Sequence, residues 1–197
     1  GKAERLAAMA MASVAGTLGK MAMDICLYMN QNFGFISFPE ELTTGSSIMP
    51  HKKNPDLFEL VRAKCNIIQG LPNQLSLLTT NLPSGYHRDL QMTKPLLLPA
   101  VEELKSCLEI TLSSLGRVQV NPDILKDPIY DYLFSVDSMD SMIQKGVSFR
   151  DAYREMAAQI ASGSYTPEKQ LRHTHKGSLG NLCLEEILTK MDQAWTV

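Results

Sequence analysis

The chain has 197 residues and a mass of 21.9 kDa, and 44% of its residues are apolar while 20% are charged. That is enough apolar material for one sizeable core, which excludes an intrinsically disordered or collagen-like protein. Nineteen basic and 21 acidic side chains give a net charge of −2, so the composition disfavours a protein that binds nucleic acid or an anionic membrane surface.

The sequence indicates an intracellular protein without a membrane anchor. The longest stretch without a charged side chain, residues 65–87, is interrupted by Gly, Pro, Ser and Asn, which disfavours a bilayer-spanning segment of roughly 20 apolar residues, and no signal peptide is recognisable. The four cysteines are far apart and contain no Cys-x-x-Cys pair, which disfavours a disulfide scaffold and a structural zinc site. We therefore expect a reducing, cytoplasmic compartment. The absence of an initiator Met suggests a fragment.

The first helix is predicted from about Lys2 to Asn30. Apolar residues there recur at alternating steps of four and three, which places them along one side of a helix. The stripe comprises Ala7, Met11, Val14, Leu18, Met21, Ile25 and Tyr28. Residues 31–51 contain glycines, prolines and a Thr-Thr-Gly-Ser-Ser run, and so predict a long loop of the kind that usually has a function.

Two further long helices are predicted before residue 116. Asn54, Pro55 and Asp56 are typical of a helix start, with Asn54 as N-cap and the proline at the first helical position. This helix extends to about residue 80, and Pro72 is expected to kink or split it. After a loop at 81–86, a third apolar stripe runs through Leu97, Val101, Leu104, Leu108 and Leu115.

Shorter helices are predicted after residue 116, at about 121–133, 137–145, 148–161 and 182–191. Ser148 followed by Asp151 resembles a capping box. Residues 162–180 are polar and are expected to form a loop in which His173 and His175 are exposed. No segment has the period of a strand.

These patterns predict an all-α protein with two parts, a long-helix bundle portion at 1–116 and a small helical C-terminal domain at 117–197. Long helices with continuous apolar stripes need partner helices, so we also expect oligomerisation.

The densest group of unusual side chains runs from Gly45 to Pro55, with the sequence Gly-Ser-Ser-Ile-Met-Pro-His-Lys-Lys-Asn-Pro. Backbone N–H groups around a glycine can form an anion-binding nest, and a helix N-terminus also favours anions. The segment therefore indicates a site for a carboxylate-bearing substrate, although from spacing alone a flexible basic turn fits equally well.

The same segment matches the Gly-Ser-Ser-x-Met-Pro-x-Lys-x-Asn signature of the fumarase and aspartase superfamily at every specified position. Residues Leu82 to Lys94 resemble the Leu-Pro-x-x-Tyr-x-x-Asp-x-Gln-x-x-Lys run of the argininosuccinate lyases in particular. Lys145 to Arg150 likewise resemble that family's Lys-Gly-x-x-Phe-Arg. The resemblance covers essentially the whole chain, as the C-terminal portion of a protein more than twice as long.

The resemblance implies a β-elimination that splits argininosuccinate into arginine and fumarate, in arginine biosynthesis, through a doubly charged aci-carboxylate. It implies that Ser46, on a mobile loop, abstracts the proton and that Lys52 stabilises the developing charge. It also implies that Glu59 orients and charges a histidine of another subunit. A serine hydroxyl is a very weak acid, so such a base needs N–H donors and nearby positive charge.

Substrate-binding roles are implied for further positions. The resemblance assigns Asn54 to a substrate carboxylate and Ser47 to the anion-binding backbone beside the base. Lys94 is expected near a carboxylate, and Tyr86 and Gln91 toward the arginine portion. Lys53, between two signature positions, is expected to be a solvated surface lysine.

The family also uses a histidine-bearing segment and an earlier serine- and asparagine-bearing segment, and neither occurs in this sequence. The family builds each active site from three subunits of a homotetramer, so the resemblance implies shared sites and an inactive chain when alone. It implies no metal and no organic cofactor, and as partner only the small-molecule substrate, without nucleic acid or membrane.

Two alternatives remain open. The chain could come from another fumarate-releasing lyase of the superfamily, of the adenylosuccinate lyase, aspartase or fumarase type. It could also come from a non-catalytic, crystallin-like relative kept for packing and solubility. The residues implied to hold arginine argue against the first, and the intact signature weakens the second.

Overall fold

The structure is a computed structural model of the chain that describes residues 1–45, 47–49, 51–169 and 173–196. It divides into two compact units, Gly1–Ile124 and Leu125–Val197. The described residues are mostly helical, which confirms the predicted all-α class. The assignment of 1–116 to a bundle and 117–197 to a C-terminal domain stays a prediction.

In the described residues of the first unit, the α-helices are α1 (Lys2–Tyr28), α2 (Asp56–Gln69), α3 (Leu71–Leu78) and α4 (Thr93–Leu115). The predicted second long helix is split between α2 and α3. Pro72 has no N–H to donate to the preceding turn, and the helix is interrupted at Gly70. The expected effect of this proline is therefore confirmed. Two 3₁₀ turns, Glu40–Leu42 and Arg88–Met92, lie in the connections before α2 and α4.

The start of α2 differs from the prediction by one residue. Pro55, not Asn54, occupies the N-cap position, and no side chain caps the helix. The reason is that Asn54 pairs with Thr44 in an isolated antiparallel bridge, which keeps its backbone extended. Asp56 is the first helical residue and its carboxylate faces the positive end of the helix dipole, as predicted.

Helices α1 and α2 approach each other closely through small side chains. Ala15, Gly19 and Ala22 of α1 are buried, and a Cβ placed on Gly19 would lie 3.3 Å from the Cβ of Cys65 in α2. Within the predicted apolar stripe, Leu18 and Ile25 are buried and Met11 and Met21 pack against the same core, whereas Val14 is 43% exposed.

The core of the first unit includes residues on both sides of the signature segment, residues 45–53. Phe38, which lies inside the predicted 31–51 loop, packs against Phe58 of α2 with ring centroids 5.2 Å apart, and both are buried. Leu42 packs against the same cluster. The chain is thus anchored in one core before and after the signature segment.

Two short strands were not predicted. β1 (Ile36–Ser37) pairs antiparallel with β2 (Gln119–Val120), and the Asn121 N–H donates to the Phe35 carbonyl at 2.9 Å. A strand of two residues has no recognisable period, and its partner lies more than eighty residues away along the chain. The pairing fixes the segment after α1 against the end of α4.

The second unit contains α5 (Ser135–Gln144), α6 (Phe149–Ala161) and α7 (Leu184–Trp195). The single helix expected at 121–133 is wrong, because two 3₁₀ turns, Ile124–Lys126 and Pro128–Phe134, take its place. Asp127 begins the second turn by accepting from the Ile129 N–H at 3.0 Å. The N-cap half of the predicted capping box is confirmed, since the Ser148 hydroxyl accepts from the Asp151 N–H at 3.2 Å, but the Asp151 carboxylate accepts from the Ser148 hydroxyl and not from its N–H.

The histidines of the second unit differ in their surroundings. His175 is exposed, as expected. His173 is about one-third exposed and its Nε2 pairs with the carboxylate of Asp137 on α5, so the expectation of a simply solvated His173 is wrong. A Cβ on Gly180 would collide with the His173 carbonyl, so residue 180 also requires glycine.

By length and composition alone, α1 also qualifies as a candidate membrane span, with a mean hydropathy of 1.3 over a window that is 28% buried. Helices that pack in a protein core pass the same test. Three residues of α1, namely Ala8, Ala15 and Ala22, are fully buried against the other helices of the first unit.

The α1–α2 contact predicts the effect of a larger side chain at residue 19. Gly19→Leu should lower the free energy of unfolding by about 1–3 kcal/mol, because the side chain would have to displace Cys65 and the α2 backbone. The matched control is Gly16→Leu, where the nearest atoms belong to the flexible side chain of Gln69, 3.5 Å away. Urea unfolding followed by helical circular dichroism measures both. Equal destabilisation would contradict close packing at residue 19.

The buried thiols predict a loss of stability at high pH. Burial, and secondarily the neighbouring Cys107, raise the pKa of Cys65 from its usual 9.0 to about 11. The folded state therefore holds this proton more tightly than the unfolded state, and the resulting stability is complete below pH 9 and is lost as the pH rises to about 11. The free energy of unfolding between these values should fall more steeply for the wild type than for Cys65→Ala. Parallel curves would contradict the raised pKa.

Candidate functional site

The signature loop, residues 45–53, begins and ends at neighbouring positions, Thr44 and Asn54. The Asn54 N–H donates to the Thr44 carbonyl at 2.8 Å, and the Thr44 N–H donates back to the Asn54 carbonyl at 3.2 Å. The Thr44 hydroxyl also donates to the carboxylate of Asp56. The signature residues between these positions are thus carried on an excursion whose two ends are tied together.

Part of the signature lies in a cavity of about 710 Å³ beside the C-terminal end of α1. The cavity is bounded by that end of α1, by the second half of the loop and by the first turn of α2. Three residues implied by the resemblance line it, namely Lys52, Asn54 and Glu59. The other lining residues are Cys26, Met29, Asn30, Gln31, Asn32, Met49, His51, Lys53 and Pro55.

Two signature serines cannot be assigned to the cavity. Ser46, the expected base, lies outside the described residues. Ser47 is exposed and does not line the cavity. A Cβ placed on Gly45 would have no atom within 4 Å, so crowding in this structure does not demand a glycine there.

The charges around the cavity favour an anion. Lys52 and Lys53 line it together, against one carboxylate, Glu59. The partial positive charge of the α2 N-terminus lies at the same place. Lys53 was expected to be a solvated surface lysine, but it lies on the cavity wall, and it is exposed there as Lys52 is.

Cys26 on the cavity wall has an altered acidity. Partial burial raises the pKa of its thiol, the guanidinium of Arg62 opposes this rise and the carboxylate of Glu59 adds to it. Arg62 and Glu59 therefore lie near this thiol on the adjoining face of α2. In the part of the chain that the structure describes, no group of His, Cys, Asp and Glu is arranged to hold a metal ion.

The remaining predicted substrate-binding residues form a second cluster. Tyr86, Gln91 and Lys94 line a cavity of about 450 Å³ together with the first turn of α1. The Gln91 amide donates to the Tyr86 hydroxyl, and Tyr86 is 68% exposed. A left-handed Gly85, with φ of +111°, turns the chain just before Tyr86.

The two clusters lie at opposite ends of α1. Glu4 lines the cavity of Tyr86, and Cys26 lines the cavity of Lys52. At about 1.5 Å rise per residue, these two levels of the helix are roughly 33 Å apart along its axis. One copy of the chain therefore brings the predicted residues together in two separate groups, and no small substrate could contact both.

Sequence reasoning missed several residues of the first cavity. Asn30, Gln31 and Asn32 lie just beyond the observed end of α1 at Tyr28, and Cys26 lies in its last turn. Three consecutive amides at a helix end were the available signal, but the signature did not include them. The fold brings them opposite the loop.

Comparison with known protein families gives one matching model, described as "Lyase", over residues 4–70. Two curated relatives are both described as argininosuccinate lyase. The protein from Bacteroides thetaiotaomicron is 51% identical over 193 residues, which are 98% of this chain and 43% of that protein. The protein from Parabacteroides distasonis is 53% identical over 97% of this chain and 43% of its own length.

Among solved structures, the chain is similar to a fumarate lyase:delta crystallin from Brucella melitensis in native form. The TM-score is 0.67 at 19% identity, over 82% of this chain and 36% of that one. This likeness concerns the fold alone. The chain spans about two fifths of the length of the curated relatives it matches.

Proposed function

Because the chain belongs to the argininosuccinate lyase family, of which it spans about two fifths of the length, we propose that it is the C-terminal portion of an argininosuccinate lyase. The full-length protein would split argininosuccinate into arginine and fumarate, as a carbon–nitrogen lyase of arginine biosynthesis. A cytoplasmic location is part of the proposal. So is a division into a bundle portion at 1–116 and a C-terminal domain at 117–197.

The observation that carries the proposal is the convergence of Lys52, Asn54 and Glu59 on one cavity with an excess of positive charge. β-Elimination next to a carboxylate places a second negative charge on that carboxylate, so catalysis needs cations and donors held in place beforehand. Lys52 would supply the point charge and Asn54 a directed amide hydrogen bond. Glu59 would orient and charge a histidine from another subunit.

Ser46 would be the base of this reaction. It would take the proton from the carbon next to the carboxylate, and the electron pair of that C–H bond would form the aci-carboxylate. Collapse of the aci-carboxylate would break the C–N bond, whose electron pair goes to the leaving guanidinium nitrogen; that nitrogen takes up a proton, and fumarate and arginine are released. Such a base needs nearby positive charge, which Lys52 and Lys53 of the same loop would supply. Ser47 would contribute to binding of the anion.

Substrate selection is assigned to the second cluster. Lys94 would pair with a carboxylate, and Tyr86 and Gln91, which contact each other, would hold the arginine portion. Both side chains offer neutral donors and acceptors, which suit a guanidinium and its attached amine. These are the positions that favour argininosuccinate over the other superfamily substrates.

The separation of the two clusters supports a homotetramer with shared active sites. Clusters roughly 33 Å apart on one helix cannot serve one substrate unless different subunits supply them. The outer faces of α1 and α4 carry apolar side chains suited to such contacts, among them Leu98, Val101, Leu108 and Leu112, which are 42–77% exposed.

A fumarate-absorbance assay of the full-length protein tests the function. With argininosuccinate, adenylosuccinate, malate and aspartate side by side, we expect turnover of argininosuccinate alone. Ser46→Ala should reduce that turnover by several orders of magnitude while leaving the unfolding transition unchanged, because the residue is expected to act in chemistry and not in packing.

Other outcomes separate the alternatives. Turnover of another of the four substrates would favour the corresponding superfamily lyase. Silence of the wild type on all four would favour a non-catalytic, crystallin-like relative. Near-normal activity of Ser46→Ala would place the base elsewhere.

Mixing two inactive variants tests the shared site. Ser46→Ala removes the proposed base of the signature loop and Lys94→Ala damages the second cluster, so unfolding and refolding them together should restore part of the activity. A mixed tetramer contains some sites assembled from two intact contributions, and each variant refolded alone provides the control. No recovery in confirmed mixed tetramers would contradict a site divided between subunits.

A further inference from the structure

The loop that carries the signature is closed by a side-chain bond that the motif does not specify. The Thr44 hydroxyl donates to the carboxylate of Asp56, beside the two backbone bonds between Thr44 and Asn54. Neither Thr44 nor Asp56 lines the cavity. Their bond joins the last residue before the excursion to the first residue of α2.

The carboxylate of Asp56 is held in place by helix α2, of which Asp56 is the first residue. It lies at the positive end of α2, where an acidic side chain is favoured, and its helix is anchored two residues later by the buried Phe58. The Thr44 side is less firmly anchored, because Thr44 is exposed and follows the short 3₁₀ turn that ends at Leu42. The hydroxyl thus ties the weaker end of the loop to the stronger one.

The register of this closure determines where the proposed catalytic groups lie. Asn54 takes part in the bridge with its own backbone, and Lys52 lies two residues before it, where its N–H donates to the Met49 carbonyl at 3.0 Å. If Thr44 moved away from Asp56, the bridge would be free to slip. Both side chains would then turn relative to the cavity.

We propose that Thr44 and Asp56 are positioning residues, whose hydroxyl–carboxylate bond holds Lys52 and Asn54 in the geometry that stabilises the developing charge. The kinetic part of this inference rests on the proposed function. The structural part, that the bond holds the base of the loop closed, does not.

The test uses a series of threonine variants in the full-length protein. Thr44→Val keeps the shape of the side chain and removes the donor, whereas Thr44→Ser keeps the donor. Thr43→Val is the matched control, since the Thr43 hydroxyl donates to the Glu40 carbonyl at 3.0 Å, outside the closure.

The expected kinetic result is a loss in kcat larger than any change in KM. Thr44→Val should lower kcat about ten- to a hundredfold, because small displacements of positioned groups have effects of this size. Lys52 would act on a charge that develops only during the reaction, so KM should change less than kcat. Thr44→Ser should recover most of the rate, and Thr43→Val should match the wild type.

Amide hydrogen exchange gives a readout that does not depend on activity. Peptides covering residues 44–54 should exchange several-fold faster in Thr44→Val than in the wild type, Thr44→Ser or Thr43→Val, with the unfolding midpoint unchanged. If the wild type proves inactive on argininosuccinate, the proposed function fails while exchange still tests the closure. Wild-type exchange in Thr44→Val, or equal impairment by serine and valine, would overturn the inference.

Discussion

The close contact of α1 with α2 is the constraint on which the first unit depends. Gly19 and the buried alanines of α1 bring its backbone against Cys65, and this distance sets where the C-terminal end of α1 lies relative to the first turn of α2. The cavity that holds Lys52, Asn54 and Glu59 is the space between those two helix ends and the loop. A wider helix spacing would separate the amides that follow α1 from the cations that precede α2. The packing of α1 against α2 in the core therefore also determines where the lysines of the cavity lie relative to the end of α1.

The helices could be predicted from the sequence, but the buried face of α1 could not. Steps of three and four identify a helix whichever stripe is counted, so the predicted bounds of α1, about Lys2 to Asn30, are close to those observed. The counted stripe consisted mainly of large side chains, whereas the close approach of α1 to α2 buries small ones. Val14 is therefore largely exposed while Ala15 is fully buried. The exposed large residues suit contacts between subunits, which a single sequence cannot separate from contacts within the core.

The signature directed attention to Lys52 and Asn54, which both line one cavity, but it equally specified Ser47, which does not line it. Residues that folding alone brings together could not be predicted. Nothing in the spacing indicated that Lys53 or the amides after α1 would lie on the same wall. The pairing of β1 with β2 and the bond from Thr44 to Asp56 are equally invisible in sequence, because each consists of one or two residues whose partners are chosen by the surrounding fold. Where the motif assigned a role by family resemblance, as for Glu59, the fold supplies a neighbourhood and leaves the role to experiment.

Because the two residue clusters lie at opposite ends of α1, the length of this helix sets the distance between them and its twist sets their relative orientation. Each residue of an α-helix adds about 1.5 Å of length and about 100° of rotation. Insertion of one residue between Glu4 and Cys26 would barely alter the distance between the clusters, but it would turn one cluster by more than a quarter circle relative to the other. Insertion of seven residues would nearly preserve the orientation and lengthen the helix by about 10 Å. In a symmetric assembly with divided sites, length and phase would both have to be conserved, so exposed positions in the middle of α1 should tolerate substitutions far better than insertions or deletions.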